Sequence, residues 1–159
     1  MMKKIILNLG ILFLVLVFIG GIFLGYEISL VKRADLSSQK YVDETVPKIA
    51  SMWSEKVLLQ ESSPEFLQNV NEYQLKQSFS QFKRLGMFKS SQPAQGNSFV
   101  SLHFPKGKEI TARYEKEVSF EKGKTKIKMN LIQRKGTWKI LYFYIDAPRF
   151  NNETKTLIL

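Results

Sequence analysis

His103 is the only histidine in the chain, and there is no cysteine. A lone imidazole can act as a general base when a carboxylate orients it, and Glu115 and Glu117 on the next strand are the candidate partners. The plainer reading, which we favour, is an exposed strand histidine near a turn. One histidine and no thiolate cannot build a histidine-rich or cysteine metal centre, so no metal or cofactor is expected. A second candidate set is Tyr114, Lys116, Tyr142, Tyr144 and Asp146. Lys116 breaks an otherwise apolar strand face, and Asp146 ends an aromatic strand on the face of Tyr142 and Tyr144. A lysine and a carboxylate among tyrosines could line a ligand pocket at the open end of a sheet. The preferred alternative has Asp146 closing the strand end while Lys116 reaches water at an edge. A third set is basic: Arg113, Lys126, Lys128, Arg134 and Lys139 gather along the polar side of the last hairpin. They suit an anion or a protein partner.

The elements that must position these residues follow from periodicity. Val42, Val46, Ile49 and Trp53 recur at helical spacing and predict a helix over 39–56, with Pro47 as the place for a kink or break. Ser37 or Ser38 is its expected cap, after a polar spacer at 27–38. Ser62-Ser63-Pro64-Glu65 combines a serine cap with proline at the first helical position. Asn71 caps a helix over 72–85 carrying Leu75, Phe79 and Phe82, and Gly86 stops it. Residues 90–98 read as a Ser/Gln/Pro/Gly loop.

The period then changes to two. Strands are expected over 98–104, 109–120, 124–134 and 137–146, joined by short glycine-bearing turns at 105–108, 121–123 and 135–136. The last strand is apolar on both faces. By alternation it puts Trp138, Ile140, Tyr142 and Tyr144 on one face, and Leu141, Phe143 and Ile145 on the other. The fold class is α+β: helices first, then a four-stranded antiparallel meander with helices on one face. Residues 147–159 read as a loose tail, with Leu157-Ile158-Leu159 as a candidate edge strand.

Helices followed by a meander ending in Gly136-Thr137-Trp138-Lys139-Ile140-Leu141-Tyr142-Phe143 resemble the nuclear transport factor 2-like, or cystatin-like, superfamily. Ser62-Ser63-Pro64-Glu65-Phe66-Leu67, with Leu85-Gly86 downstream, looks like small secreted or anchored bacterial domains of that superfamily. The resemblance covers residues 39–146. It implies a curved, cone-like roll and leaves function open, because the superfamily holds both enzymes and noncatalytic pocket domains. The acid-base pair of its isomerases has no counterpart here, so the resemblance implies no catalytic residue.

Charge and hydropathy set the surroundings. Lys and Arg number 24 against 14 Asp and Glu, a net charge of +10. That sign attracts anionic lipid or anionic cell-wall polymer, although solubility alone accounts for it as readily. Ile5 to Gly25 carries no charge and would span roughly 30 Å as a helix, the thickness of a bilayer core. It is longer than the apolar region of a cleaved signal peptide and lacks an A-x-A-like site. The expected organisation is a cytoplasmic tip and anchor over 1–26, a linker over 27–38, a domain over 39–146 and the tail. The short basic start favours a cytoplasmic N-terminus, with the domain outside a bacterial inner membrane. That location, and few aromatics among the basic residues, argue against nucleic acid. Gly21 and Gly25 form a G-x-x-x-G pair, a weak sign of helix association, and the oligomeric state stays open. The expected function is a noncatalytic binding or assembly module, with an isomerase- or hydrolase-like enzyme using a Tyr/Asp/His pocket as the alternative.

Overall fold

The computed structural model describes residues 2–103, 107–146 and 157–158; side chains at 2–9, 12, 23–24, 27, 102–103 and 157–158 lie outside the described set. The helices are α1 (Met2–Met52), α2 (Glu55–Glu61), α3 (Pro64–Asn69) and α4 (Glu72–Phe82), followed by a 3-10 turn at Lys83–Leu85. The strands are β1 (Phe88–Ser91), β2 (Gln95–His103), β3 (Gly107–Phe120), β4 (Gly123–Arg134), β5 (Thr137–Asp146) and β6 (Leu157–Ile158). The chain divides into two compact units, Met1–Ala34 and Asp35–Leu159. Among the described residues no helix is long and apolar enough to cross a membrane. The expected anchor at 5–25 includes side chains outside the described set, at 5–9, 12 and 23–24.

The α+β class is borne out. Every strand pairing is antiparallel, in the order β1-β3-β4-β5-β6, with β2 also on β3. The local helix signals hold. Ser63 Oγ accepts from Phe66 N, Asn71 Oδ1 accepts from Gln74 N, and Gly86 ends the helical segment at φ 81°.

Three expectations about α1 are corrected. The polar spacer at 27–38 is helical, continuous with the segments on either side of it. Ser37 and Ser38 sit inside the helix and do not cap it. Pro47 neither breaks α1 nor ends it at Val46. Val42, Val46, Ile49 and Ala50 are buried around it, and that packing offsets the lost helical hydrogen bond. The helix stops instead at Trp53, whose φ of 43° is the left-handed conformation usually left to glycine. The Trp53 ring stacks on Phe120 at 5.3 Å and meets Phe79 edge-on at 5.6 Å. Aromatic burial holds a tryptophan in a conformation its backbone disfavours.

Residues 90–98 are not one loop. One side of β3 is covered by two segments, β1 along Val118–Phe120 and β2 along Gly107–Glu115. Only Gln92–Ala94 lies outside both strands, around a proline that has no N–H to donate, and Gln92 N still donates to Glu117 O of β3 at 2.9 Å. Ser63 N donates to Ile140 O at 2.8 Å, so the α2–α3 connection covers β5 on its other side, where β6 also pairs. The candidate edge strand is thus present at Leu157–Ile158, whereas the remaining tail, 147–156 and 159, lies outside the described residues.

Gly96 sits where no larger residue fits. A Cβ there would lie 2.8 Å from both Cα and Cδ1 of Tyr114 and closer still to Arg113 O. Gly96→Ala is expected to destabilise by about 1–3 kcal/mol, because the contact is with paired backbone that cannot move aside. Denaturant melts of this variant beside Asn97→Ala check it. Asn97 is exposed, so its truncation should stay within about 0.5 kcal/mol of the parent. Equal midpoints for both variants would contradict the close β2–β3 approach.

Candidate functional site

The sheet has a covered face and an outer face. On the covered face Ala112, Tyr114, Lys116, Val118 and Phe120 are buried, together with Ile127, Met129 and Leu131 of β4. A register shift between Asn130 and Leu131 then reverses the alternation of β5. Trp138 and Ile140 share the buried side with Phe143 and Ile145, while Tyr142 and Tyr144 face outward beside Asn130 and Lys128. The strict alternation expected for β5 is corrected by that bulge.

The structure therefore does not bring Tyr114, Lys116, Tyr142, Tyr144 and Asp146 into one pocket, although Tyr114 and Tyr142 both border one groove. Tyr114 and Lys116 are buried on the covered face, Tyr142 and Tyr144 are half-buried on the other, and Asp146 is exposed at the end of β5. His103 closes β2 opposite Gly107, and its side chain lies outside the described set.

Lys116 does not reach water at an edge. Its side chain is 3% exposed, and Nζ contacts Asp43 Oδ1 and donates to Gln92 O at 2.7 Å. Asp43 Oδ1 also accepts from Ala94 N at 2.9 Å, and Gln39 Nε2 donates to Ala94 O at 3.0 Å. Gln92 O, Ala94 N and Ala94 O at the break are thus met by side chains of α1 and β3. One helical turn before Gln39, Asp35 Oδ1 accepts from Ser98 N at 2.5 Å and from Ser98 Oγ at 2.6 Å. The Tyr114 hydroxyl bonds with Ser38 Oγ at 3.0 Å and donates to Asp35 O at 3.1 Å. Burial above all raises the Tyr114 phenol above its ordinary pKa. The Ser38 hydrogen bond opposes this shift, and the Asp35 and Asp43 charges reinforce it. This cluster is a clamp between α1 and the broken edge of the sheet. Asp35, Gln39 and Asp43 escaped the sequence reading, although their spacing of four marks one polar line along a helix.

The outer face carries an open groove of about 550 Å³. One row of register partners crosses it: Asn97, Arg113, Asn130 and Tyr142. The next row supplies Gln95, Glu115 and Lys128, and Gly96 and Tyr114 also border the groove.

The basic candidates lie on or beside this face, and most are matched by carboxylates. Lys126 contacts Glu115 at 2.8 Å and Lys128 contacts it at 3.7 Å. Arg134 bonds Glu65 at 2.6 Å and approaches Glu109 at 3.6 Å. Lys139 Nζ donates to Gln60 O at 2.8 Å. Hydrogen bonding from Lys126 is the main reason that the Glu115 carboxyl lies below its usual range, and it raises the Lys126 ammonium in turn. Arg113 differs. Its Nε donates to Asn130 Oδ1 at 3.2 Å, and among the described residues it makes no ion pair.

Among the described residues no group of three or more His, Asp or Glu side chains could hold a metal ion. No family model, no curated protein and no solved structure matches the chain.

Proposed function

We propose that this chain is a noncatalytic, membrane-tethered binding or assembly module of a bacterial cell envelope. In this reading α1 crosses the inner membrane once through Ile5–Gly25, and the domain stands outside the cytoplasm. The supporting observation lies within the unit Met1–Ala34. From Phe13 to Ile19 seven consecutive apolar side chains are between 48% and 71% exposed. At about 100° per residue, seven positions cover every side of a helix, and a helix apolar all round is stable only when lipid or protein surrounds it. The uncharged run from Ile5 to Gly25 has the length that a bilayer core requires. Lys3 and Lys4 just ahead of it support the orientation.

For the domain we propose a curved, cone-like roll of the nuclear transport factor 2-like type. The order of helices before the β2-β3-β4-β5 meander supports it. The enzyme alternative draws no comparable support, because Tyr114 and Lys116 are engaged by Ser38, Asp43 and Gln92.

Membrane extraction tests the tether. The protein is expected to stay in the membrane fraction after a carbonate wash at high pH and to leave it only with detergent. Its intact mass should include Met1–Gly25. Release by carbonate, or a mature N-terminus between Gly20 and Glu27, would reject the anchor.

A further inference from the structure

We propose that the outer groove binds a carboxylate-bearing glycan, with Arg113 as the residue that receives the carboxylate. This deepens the binding-module reading and rests on it.

On the outer face Lys124 has Glu117, Lys126 and Lys128 have Glu115, and Arg134 has Glu65 and Glu109. Among the described residues Arg113, inside the groove, has only an amide oxygen as its partner. Both of its register partners, Asn97 and Asn130, are uncharged. Asn130 takes Nε, and the terminal nitrogens of this groove residue form a planar fork of further donors. Such a fork matches the two oxygens of a carboxylate, and a guanidinium without a protein carboxylate is the natural seat for one from a ligand.

The rest of the groove selects the ligand class: its one carboxylate, Glu115, is held by Lys126 and Lys128. Gln95, Asn97 and Asn130 are amides, each able to donate and to accept. Hydroxyl-rich sugars do both as well. The Tyr142 ring, half-buried at the end of the Arg113 row, gives one sugar face an apolar support. The groove lies on the face of a sheet, where the backbone groups of β3 and β4 are spent on their neighbours. A peptide recognised by main-chain pairing would add to the β2 edge, whereas Arg113 and Asn130 lie on the inner strands β3 and β4. About 550 Å³ is within the size range of small-ligand sites.

The test uses the full-length protein in a zwitterionic detergent with no sugar headgroup. The probes are a glucuronate-containing disaccharide, its neutral glucose counterpart, a dipeptide and inorganic phosphate. Titration is followed by calorimetry and by amide chemical shifts. The uronate disaccharide should bind at least about tenfold more tightly than the neutral one, and Arg113→Gln should remove that preference. Shifts should centre on Asn97, Arg113, Asn130 and Tyr142, and Lys124→Gln, whose partner Glu117 also lies outside the groove, should bind as the parent does. Arg113→Lys keeps the charge without the fork and is expected to weaken binding too. It carries the test if Arg113→Gln loses its fold by circular dichroism. Several results would overturn the proposal: undiminished uronate binding by the Arg113 variants, equal binding of the neutral sugar, tighter binding of phosphate or dipeptide, or no uronate binding at all. Carbonate extraction is scored separately, so failure of the tether and failure of the groove remain distinguishable.

Discussion

Asp43→Ala is expected to lower the stability of the domain by about 3 kcal/mol, the low end for breaking a buried ion pair. The Lys116 side chain is 3% exposed, and Asp43 is the carboxylate beside it. Without Asp43 the ammonium keeps only Gln92 O, which carries no charge to balance it, and Ala94 N loses its acceptor. The low end applies because Asp43 is itself 35% exposed, so water can enter the vacated position and solvate part of the charge. The partner substitution sharpens the test. Lys116→Met removes the buried charge and leaves Asp43, which water reaches, so it should cost less than Asp43→Ala. The double variant should cost less than the sum of the two single ones, because no stranded ammonium remains. Denaturant melts of the three variants in the full-length protein measure this cycle. An Asp43→Ala midpoint equal to the parent's would mean that the clamp between α1 and the strand break does not hold the fold.

Trp138→Ala is expected to cost about 3–5 kcal/mol, a large part of the stability of a domain this size. Trp138 is 5% exposed, and the β5 bulge places it on the same buried side as Ile140, Phe143 and Ile145. Its indole Nε1 donates to Ser37 Oγ at 3.0 Å, which fixes β5 against α1. Most of the cost is the cavity left by the ring. Ser37 is exposed, so Ser37→Ala should cost about 1 kcal/mol or less, with water taking over the indole proton. The pair separates packing from hydrogen bonding. If Trp138→Ala melted like the parent, the β4–β5 register would be wrong. If Ser37→Ala were as severe as Trp138→Ala, the hydrogen bond would outweigh the packing, contrary to this account.

The outer surface has a milder pH response. Glu115 and Glu65 have carboxyl pKa values lowered by their bonds to Lys126 and Arg134. A lowered carboxyl contributes stability above its unfolded pKa and loses it as pH falls through the folded value. Both groups are well exposed, so solvent screening keeps the contribution small.

Much of the fold was legible in the sequence, wherever the cause was local. Ser63 and Asn71 cap helices because each hydroxyl or amide reaches an N–H three residues on, and Gly86 stops one because a glycine tolerates a left-handed backbone. The β3–β4 and β4–β5 hairpins follow from alternation over ten residues or so and short glycine turns. The uncharged stretch at 5–25, the basic surface residues and the absence of cysteine are likewise properties of the chain itself. Tertiary structure decided what no short window contains. Lys116 looked like a misplaced charge because Asp43 is 73 positions away in sequence. The strand break at Gln92–Ala94 read as a loop because its backbone partners, Gln39 and Asp43, come from another element. Tyr142 and Tyr144 face away from Lys116 because one bulge in the β4–β5 pairing turns every later side chain over. The Arg113 groove exists only once Asn97, Arg113, Asn130 and Tyr142 are aligned across four strands. Capping and periodicity act within a few residues of chain, so sequence determines them. Ion pairs, bulges and cross-strand rows depend on which distant segments meet, and burial of the whole core chooses those.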